Sequence, residues 1–591
     1  MLDPVDYSDQ SGGVTGTVYE LVASTFIPPI INFSQQSHSR PQKIKDSQFA
    51  STDKAIFPMG NVLSAYQTSD CQVELPGKGT IRGLQFDNKA CRYAGVPYAV
   101  PPTRDLRWKK PKPLPSSYFS DTGLFDATEF GPVCYQSNYS ASVTKNTPKH
   151  TYSEDCLRLN IWTPVANKED PDRKWPVMIW FHGGWFQVGD PSCEPNMDPT
   201  ELISTGGLNA IFVAVGYRLN VFGFLAGDPL REESNGQEVG NYGLWDQRLA
   251  LEWVYENIAV FGGDTQNITL AGRSAGAYSV QAQALYDFRG AGPSPKFFHR
   301  LVMYSNAIPT QPKTPWECQS QFDELCRFFK IPSACTGEQK LERLRQIPAE
   351  DLTNAVMKLD HHTFRPVTDG VFIRPGIFQY HRDGSFAAEF KRRGLRLFIG
   401  EVLNEETLYA VTNGPDASLG SLQLQLSNYY PSSTTDRLIQ HYTLPVSDDK
   451  KDWEALFGRI VSDGQVRAPS RFLVENLLSH GVDSRNVWRY YIAYRLSFIS
   501  EEVAPASMGV SHAMDRPFWN YSIMHGPTSD ERKIMDDWVK DLAAFVGDDR
   551  GHSYGTEAKN EMKVVTPRGT IEVQQDARWE ELLELMGIFS V

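Results

Sequence analysis

The chain reads as an α/β protein built on one large, mostly parallel central sheet flanked by helices. Three observations predict this. Short apolar runs recur without the polar alternation of half-exposed strands, as strands covered on both faces require. Helical stretches such as Leu244 to Ile258 fall between those runs, the alternation that builds parallel sheets. No internal repeat and no convincing linker interrupts the pattern past residue 79.

Residues 1 to about 75 are rich in Ser, Gln and Asp, and Pro28-Pro29 breaks their one apolar patch. They read as a partly irregular N-terminal extension, with 76–591 as a single large domain. From Gly79 the texture changes: Thr80 to Phe86 looks like the opening of a strand pair, and Tyr93 to Pro102 like a proline-set extended loop. Buried strands are expected at Leu157 to Trp162, Pro176 to Phe181, Ala210 to Val215, around Leu270, and at Leu301 to Tyr304. Helices dominate after residue 310, with further strands near Arg396 to Ile399 and Val487 to Ile492.

Composition removes several classes of function. The 591 residues are 41% hydrophobic and 22% charged, with a net charge of −13 and no basic cluster, so no nucleic-acid partner is expected. No apolar run approaches the roughly 18 residues that cross a bilayer, so no membrane span is expected. Met1-Leu2-Asp3-Pro4-Val5-Asp6 is acidic and lacks an apolar core. The expectation is therefore a cytoplasmic protein, or a secreted one if the true start lies upstream. Eight cysteines are too few for a disulfide scaffold, and none forms Cys-x-x-Cys or a zinc-ligand spacing with His, so neither metal nor cofactor is implied.

The stretch Asn267 to Tyr278 carries the chemistry. It starts as a β-prone run, continues past Gly276 as helix, and holds Gly272-Arg273-Ser274-Ala275-Gly276 between the two. A strand that turns at once into a helix strains the central residue and pushes its hydroxyl out, while a Cβ on either flanking glycine would collide with its neighbours. The Ala275 N–H at the helix start could then meet an oxyanion. By accident alone a chain this long shows Gly-x-Ser-x-Gly roughly once in five, so the strand-then-helix context is what makes it a nucleophile elbow.

Acyl transfer by serine also needs a base, an orienter and oxyanion donors. The strand ending at Phe181 runs into His182-Gly183-Gly184-Trp185-Phe186, a strand-then-glycine arrangement that supplies such donors. Among 12 histidines, His512 lies well downstream in a small-residue loop. Glu405 follows the strand Leu397 to Ile399, with Glu401 and Glu406 as immediate rivals. The order Ser274, Glu405, His512 is that of an α/β-hydrolase.

The chain resembles the type-B carboxylesterase (cholinesterase-like) family of α/β-hydrolases in its fungal-type form, from about residue 77 to the C-terminus. The phrases that carry the resemblance are Tyr93 to Pro102, Ser153 to Trp162, Gly216 to Leu225, Gly240 to Gln247 and Phe261 to Asp264. The resemblance implies Ser274 as nucleophile, His512 as base and Glu405 as acid, with the N–H groups of Gly184, Trp185 and Ala275 as oxyanion donors. It also implies a disulfide between Cys134 and Cys156. The loop they close has no Trp, which makes choline esters unexpected as substrates. Of Cys318, Cys326 and Cys335, the pair Cys326 and Cys335 is favoured, and Cys71, Cys91 and Cys193 stay unassigned.

Departures from the family pattern set further expectations. Arg273 stands where Glu is usual, and either recognises a carboxylate-bearing substrate or pairs with a nearby acid. Trp185 replaces a small residue and should narrow the acyl site; Arg273 and Phe186 are the candidates for lining the substrate pocket. Glu406 and Ala513 replace glycines after the acid and after the histidine. The expected activity is hydrolysis of a small-molecule carboxylic ester through an acyl-serine. The alternatives are a natural-product enzyme using the same triad for transacylation, lactonisation or cyclisation and, more remotely, a non-catalytic interaction protein. Oligomeric state is not legible.

Overall fold

A computed structural model describes residues 65–590 apart from 78, 138, 140–150, 166–169, 171, 193–197, 291–294 and 502–503. The chain divides into Met1–Pro58 and Met59–Val591, and every described residue belongs to the second unit. Most of the expected extension thus lies outside the described residues.

One sheet takes thirteen strands. In chain order they are β1 (Thr68–Leu75), β2 (Gly79–Phe86), β3 (Ala90–Pro97), β4 (Leu124–Asp126), β5 (Arg158–Pro164), β6 (Trp175–Phe181), β7 (Ile211–Val215), β8 (Gly263–Arg273), β9 (Arg300–Tyr304), β10 (Arg396–Val402), β11 (Val487–Ile492), β12 (Glu561–Val565) and β13 (Ile571–Gln575). They lie in the order β1-β2-β3-β5-β7-β6-β8-β9-β10-β11-β12-β13, with β4 beside β2. Every pairing along the path from β7 to β12 is parallel; the path is antiparallel at both ends, while β4 pairs parallel with β2.

Register explains why the central strands read as unbroken apolar runs. Val213, Ile179, Leu270, Leu301, Leu397 and Val487 stand side by side and enter one hydrophobic cluster. The next row, Ala214, Trp180, Ala271, Val302, Phe398 and Trp488, faces the opposite way into a second cluster. Successive residues alternate faces and both faces are covered, so no polar position is left along the strand. The helices α1 (Tyr242–Asn257) and α2 (Ala275–Phe288) connect strands of the parallel core.

Three sequence expectations are corrected. Thr68–Leu75 is not extension but strand β1, antiparallel to β2, so the domain begins before residue 76. Its exposed edge position lets Ser, Asp and Gln occupy it, which is why it reads as irregular. Tyr93–Pro97, expected as loop, belongs to β3; a register shift between Tyr93 and Val96, with Gly95 at φ +66°, admits the proline-rich segment to the sheet. The disulfide Cys134–Cys156 is present with its Cα atoms 5.0 Å apart, inside the usual range. Cys326 and Cys335, however, are both free thiols. Cys326 points into the core, where burial pushes its thiol up to about 11. Cys193 lies outside the described residues.

Candidate active site

The carboxyl ends of β6, β8 and β10 converge on one edge of the sheet, where crevices of parallel α/β sheets form. Ser274 sits between β8 and α2 at φ 54°, ψ −122°, a region costly for any residue but glycine. Its N–H donates to the Tyr304 carbonyl at 2.8 Å, and its carbonyl accepts from Tyr278 N at 3.0 Å. A Cβ on Gly276 would fall 1.9 Å from the Phe181 carbonyl oxygen, and one on Gly272 would fall 2.4 Å from Gly276. Only glycine fits two positions before and two positions after the serine.

The loop after β6 lies against that elbow: a Cβ on Gly183 would come within 3.1 Å of the Ser274 Cβ. Gly184, Trp185 and Phe186 all take positive φ (113°, 57° and 65°). The Gly184 carbonyl accepts from Gln187 N and Val188 N at 2.8 and 3.0 Å. Gln187, fully buried, fixes the turn by donating to the carbonyls of Trp185 (3.0 Å) and Phe364 (2.5 Å). The N–H groups of Gly184, Trp185 and Ala275 donate to no acceptor among the described residues. His182, in the same loop, is occupied elsewhere, stacked on Tyr217 at 4.3 Å.

Glu405 opens the helix α3 (Glu405–Ala410) and is fully buried. One carboxylate oxygen accepts from Val402 N at 2.9 Å; the other makes a short bond with His512 Nδ1. The rivals are engaged otherwise: Glu401 is bound to Arg471 in the core, and Glu406 accepts from Arg467 at 2.6 Å. The loops of Glu405 and His512 are tied directly, since Asn404 N donates to the Val510 carbonyl at 2.9 Å and Thr407 Oγ1 to Ser511 Oγ at 2.7 Å. Ala513 takes φ 69°, the backbone a glycine there would adopt without strain.

Tyr409 was not singled out by the sequence, yet it joins these parts. Its hydroxyl is in polar contact with the Ser274 side chain. Its ring lies 5.2 Å from that of His512 and 6.4 Å from that of Trp185. Burial first, then the Glu405 carboxylate, hold its phenol well above the ordinary value, so it is a neutral donor. The signal was its place four residues after Glu405, on the same helix face.

A serine in a strained elbow, free N–H donors beside it and a buried carboxylate–imidazole pair are the parts of an acyl-transfer site. A profile of the carboxylesterase family matches residues 69–583. The chain belongs to the carboxylesterase family. This carboxylesterase is 39% identical over 522 residues to an uncharacterized esterase/lipase of Schizosaccharomyces pombe, covering 86% of this chain and 95% of that one. It is 36% identical over 525 residues to a carboxylic ester hydrolase of Gibberella moniliformis, covering 86% and 94%. Lipase 2 of Geotrichum candidum is 31% identical over 347 residues, 53% of this chain and 60% of the lipase. The carboxylesterase has the α/β-hydrolase fold and is a carboxylic ester hydrolase.

Two pocket candidates are corrected in the carboxylesterase. Arg273 is only 3% exposed and is bound to Asp515, itself fully buried, so no charge is left to meet a substrate. Asp515 lay three residues past His512 and could not be matched to Arg273 without the fold. Phe186 is fully buried, wedged between Phe224 (4.9 Å) and Tyr278 (5.4 Å). Trp185 does stay at the site, its ring 5.3 Å from that of Tyr139 and 6.4 Å from that of Tyr409.

Proposed function

We propose that the enzyme cleaves its ester through an acyl-serine intermediate on Ser274. His512 takes the serine proton as Oγ attacks the carbonyl, and Glu405 holds the imidazole tautomer and stabilises the imidazolium. The N–H groups of Gly184, Trp185 and Ala275 receive the oxyanion. His512 then returns the proton to the leaving alcohol, and water repeats the sequence to release the acid. The observation that carries this reading is the buried bond between Glu405 and His512 Nδ1 beside an elbow serine. Trp185, packed against Tyr139 and Tyr409, narrows the acyl side of the site.

The test pairs fluorophosphonate labelling with p-nitrophenyl ester turnover, on the wild type and on Ser274→Ala. Labelling should vanish in the variant and turnover should fall on the order of 10⁴-fold or more. A folded Ser274→Ala variant that keeps either signal would overturn the assignment.

A further inference from the structure

A cavity of about 320 Å³ is lined among others by Tyr278, Lys313, Thr363, Arg365, Asn428 and Tyr429. Two of these are cations, and neither makes the salt bridge that several of the deeply buried arginines make. Arg218 is paired with Asp246, Arg273 with Asp515, and Arg471 with both Glu401 and Asp576. Arg365 instead donates to the neutral amide of Gln465 at 2.9 Å and lies over the Tyr429 ring at 5.2 Å. Lys313 Nζ donates to the Ser427 carbonyl at 2.6 Å. Neither has a carboxylate within 4.0 Å among the described residues.

The acids nearby do not neutralise them. Glu317, also at the cavity, is exposed and held by Thr314 N and Oγ1 at 2.8 and 2.9 Å; Glu324 is bonded to His361 at 3.0 Å. Two half-buried cations without a counter-charge are costly to keep together. Burial indeed lowers the Lys313 ammonium from its usual value, and the Arg365 guanidinium pushes the same way, against Cys318 and Glu317. Gln465, which orients Arg365, belongs to a π-helical turn, Asp463–Arg467, a feature frequent at functional sites.

Two of the cavity's lining residues, Tyr278 and Thr363, link it to the reaction centre. Tyr278 is one helical turn past Ser274, an advance of about 6 Å along α2. Thr363 bonds Tyr139 Oη at 2.7 Å, and the Tyr139 ring is the one packed on Trp185. The indole Nε1 of Trp185, 8% exposed as a residue, is a buried donor without a partner among the described residues. The cavity itself offers two cations without a carboxylate partner among the described residues.

We propose that Arg365 and Lys313 hold a carboxylate of the substrate, so that the enzyme acts on esters whose acyl part ends in a second, ionised acid group. This rests on the assignment of Ser274 as nucleophile. The cation sought at Arg273 from the sequence is supplied instead from the loop that carries Arg365.

The test compares p-nitrophenyl hemiesters of succinic, glutaric, adipic and suberic acid with p-nitrophenyl esters of the matching monocarboxylic acids. It uses wild type, Arg365→Gln, Arg365→Lys, Lys313→Gln and Ser274→Ala. Wild type should favour at least one hemiester in kcat/KM by tenfold or more. Arg365→Gln and Lys313→Gln should each lower the hemiester-to-neutral ratio, mainly through KM, and Arg365→Lys should restore much of it. Because the readout is a ratio within each variant, a general loss of folding or catalysis leaves it unchanged. A wild-type ratio near one, or a ratio untouched in both Gln variants, overturns the proposal. Free glutarate that accelerates neutral esters would place a separate effector in the cavity and also overturn it. Neutral-ester turnover surviving in Ser274→Ala would instead sink the nucleophile assignment.

Discussion

Arg273 and Asp515 form a buried ion pair that fastens the strand ending at the elbow to the loop carrying His512. Asp515 also accepts from Trp519 Nε1 at 2.8 Å, and the Arg273 guanidinium lies 5.1 Å from the centre of the Tyr304 ring. The pair thus sits among β8, β9 and the histidine loop, and it is the only salt bridge that either charge makes among the described residues. Asp515→Asn should lower stability by about 3–5 kcal/mol, the usual cost of orphaning a buried charge. The double change Arg273→Met with Asp515→Leu should recover most of that loss, which urea midpoints of the three proteins would measure. A single variant as stable as wild type would show that the pair bears no load.

What the sequence could reveal of this site follows the range of the interactions. The elbow and the loop after β6 are local, each a strand with its turn, and both were legible from glycines at fixed offsets. Choosing Glu405 over Glu401 and Glu406 was not a local matter. It depends on Asn404 bonding to the Val510 backbone and turning that part of the chain toward His512. Arg273 left two readings open because its partner is 242 residues away. Strand β1 escaped notice because, at the sheet edge, its outward positions carry polar residues that central strands exclude.

Gly184 carries a prediction about the proposed oxyanion donors. At φ +113°, with a virtual Cβ 2.0 Å from the Val188 carbonyl oxygen, it has no room for a side chain. Gly184→Ala must open the turn that aims the Gly184 and Trp185 N–H groups. Turnover should fall about 10²–10³-fold, as when one oxyanion donor is lost, while circular dichroism stays that of the wild type. Steady-state kinetics on a short p-nitrophenyl ester decide it, and a kcat within twofold of wild type would remove Gly184 from the donor set.

The Cys134–Cys156 bond closes a loop with a sequence separation of 22. Changing both residues to Ser should lower stability by about 3 kcal/mol, the loop-closure entropy returned to the unfolded chain. Because Val133 N still donates to the Thr151 carbonyl at 2.9 Å, the loop base should stay closed in the folded variant. Denaturant midpoints of wild type with and without reductant, set beside the double variant, would test this. Equal midpoints in all three would mean that the bond adds nothing.

His381 makes stability depend on pH. It is 1% exposed on the helix Ile377–Arg382, with Nδ1 donating to the Ile377 carbonyl at 2.8 Å and its ring stacked on Phe386 at 4.3 Å. The other nitrogen faces Gln281 Nε2 at 3.4 Å, so the imidazole accepts there and is neutral. Burial, chiefly, lowers its pKa to about 4, whereas the unfolded chain takes up the proton near the ordinary histidine value of about 6.5. Between those values the unfolded state binds more protons. The contribution of His381 is therefore complete above about pH 6.5 and is lost progressively as pH falls toward about 4, by roughly 3 kcal/mol in all. His381→Gln removes the titration, and its stability should fall less steeply than that of wild type across this window, whatever its absolute stability at neutral pH. Urea midpoints at half-unit steps from pH 7 to pH 4 give both curves. Carboxylates and His299, whose pKa is also lowered to about 4, act equally in the two proteins. The difference between the curves isolates His381, and parallel curves would refute its role.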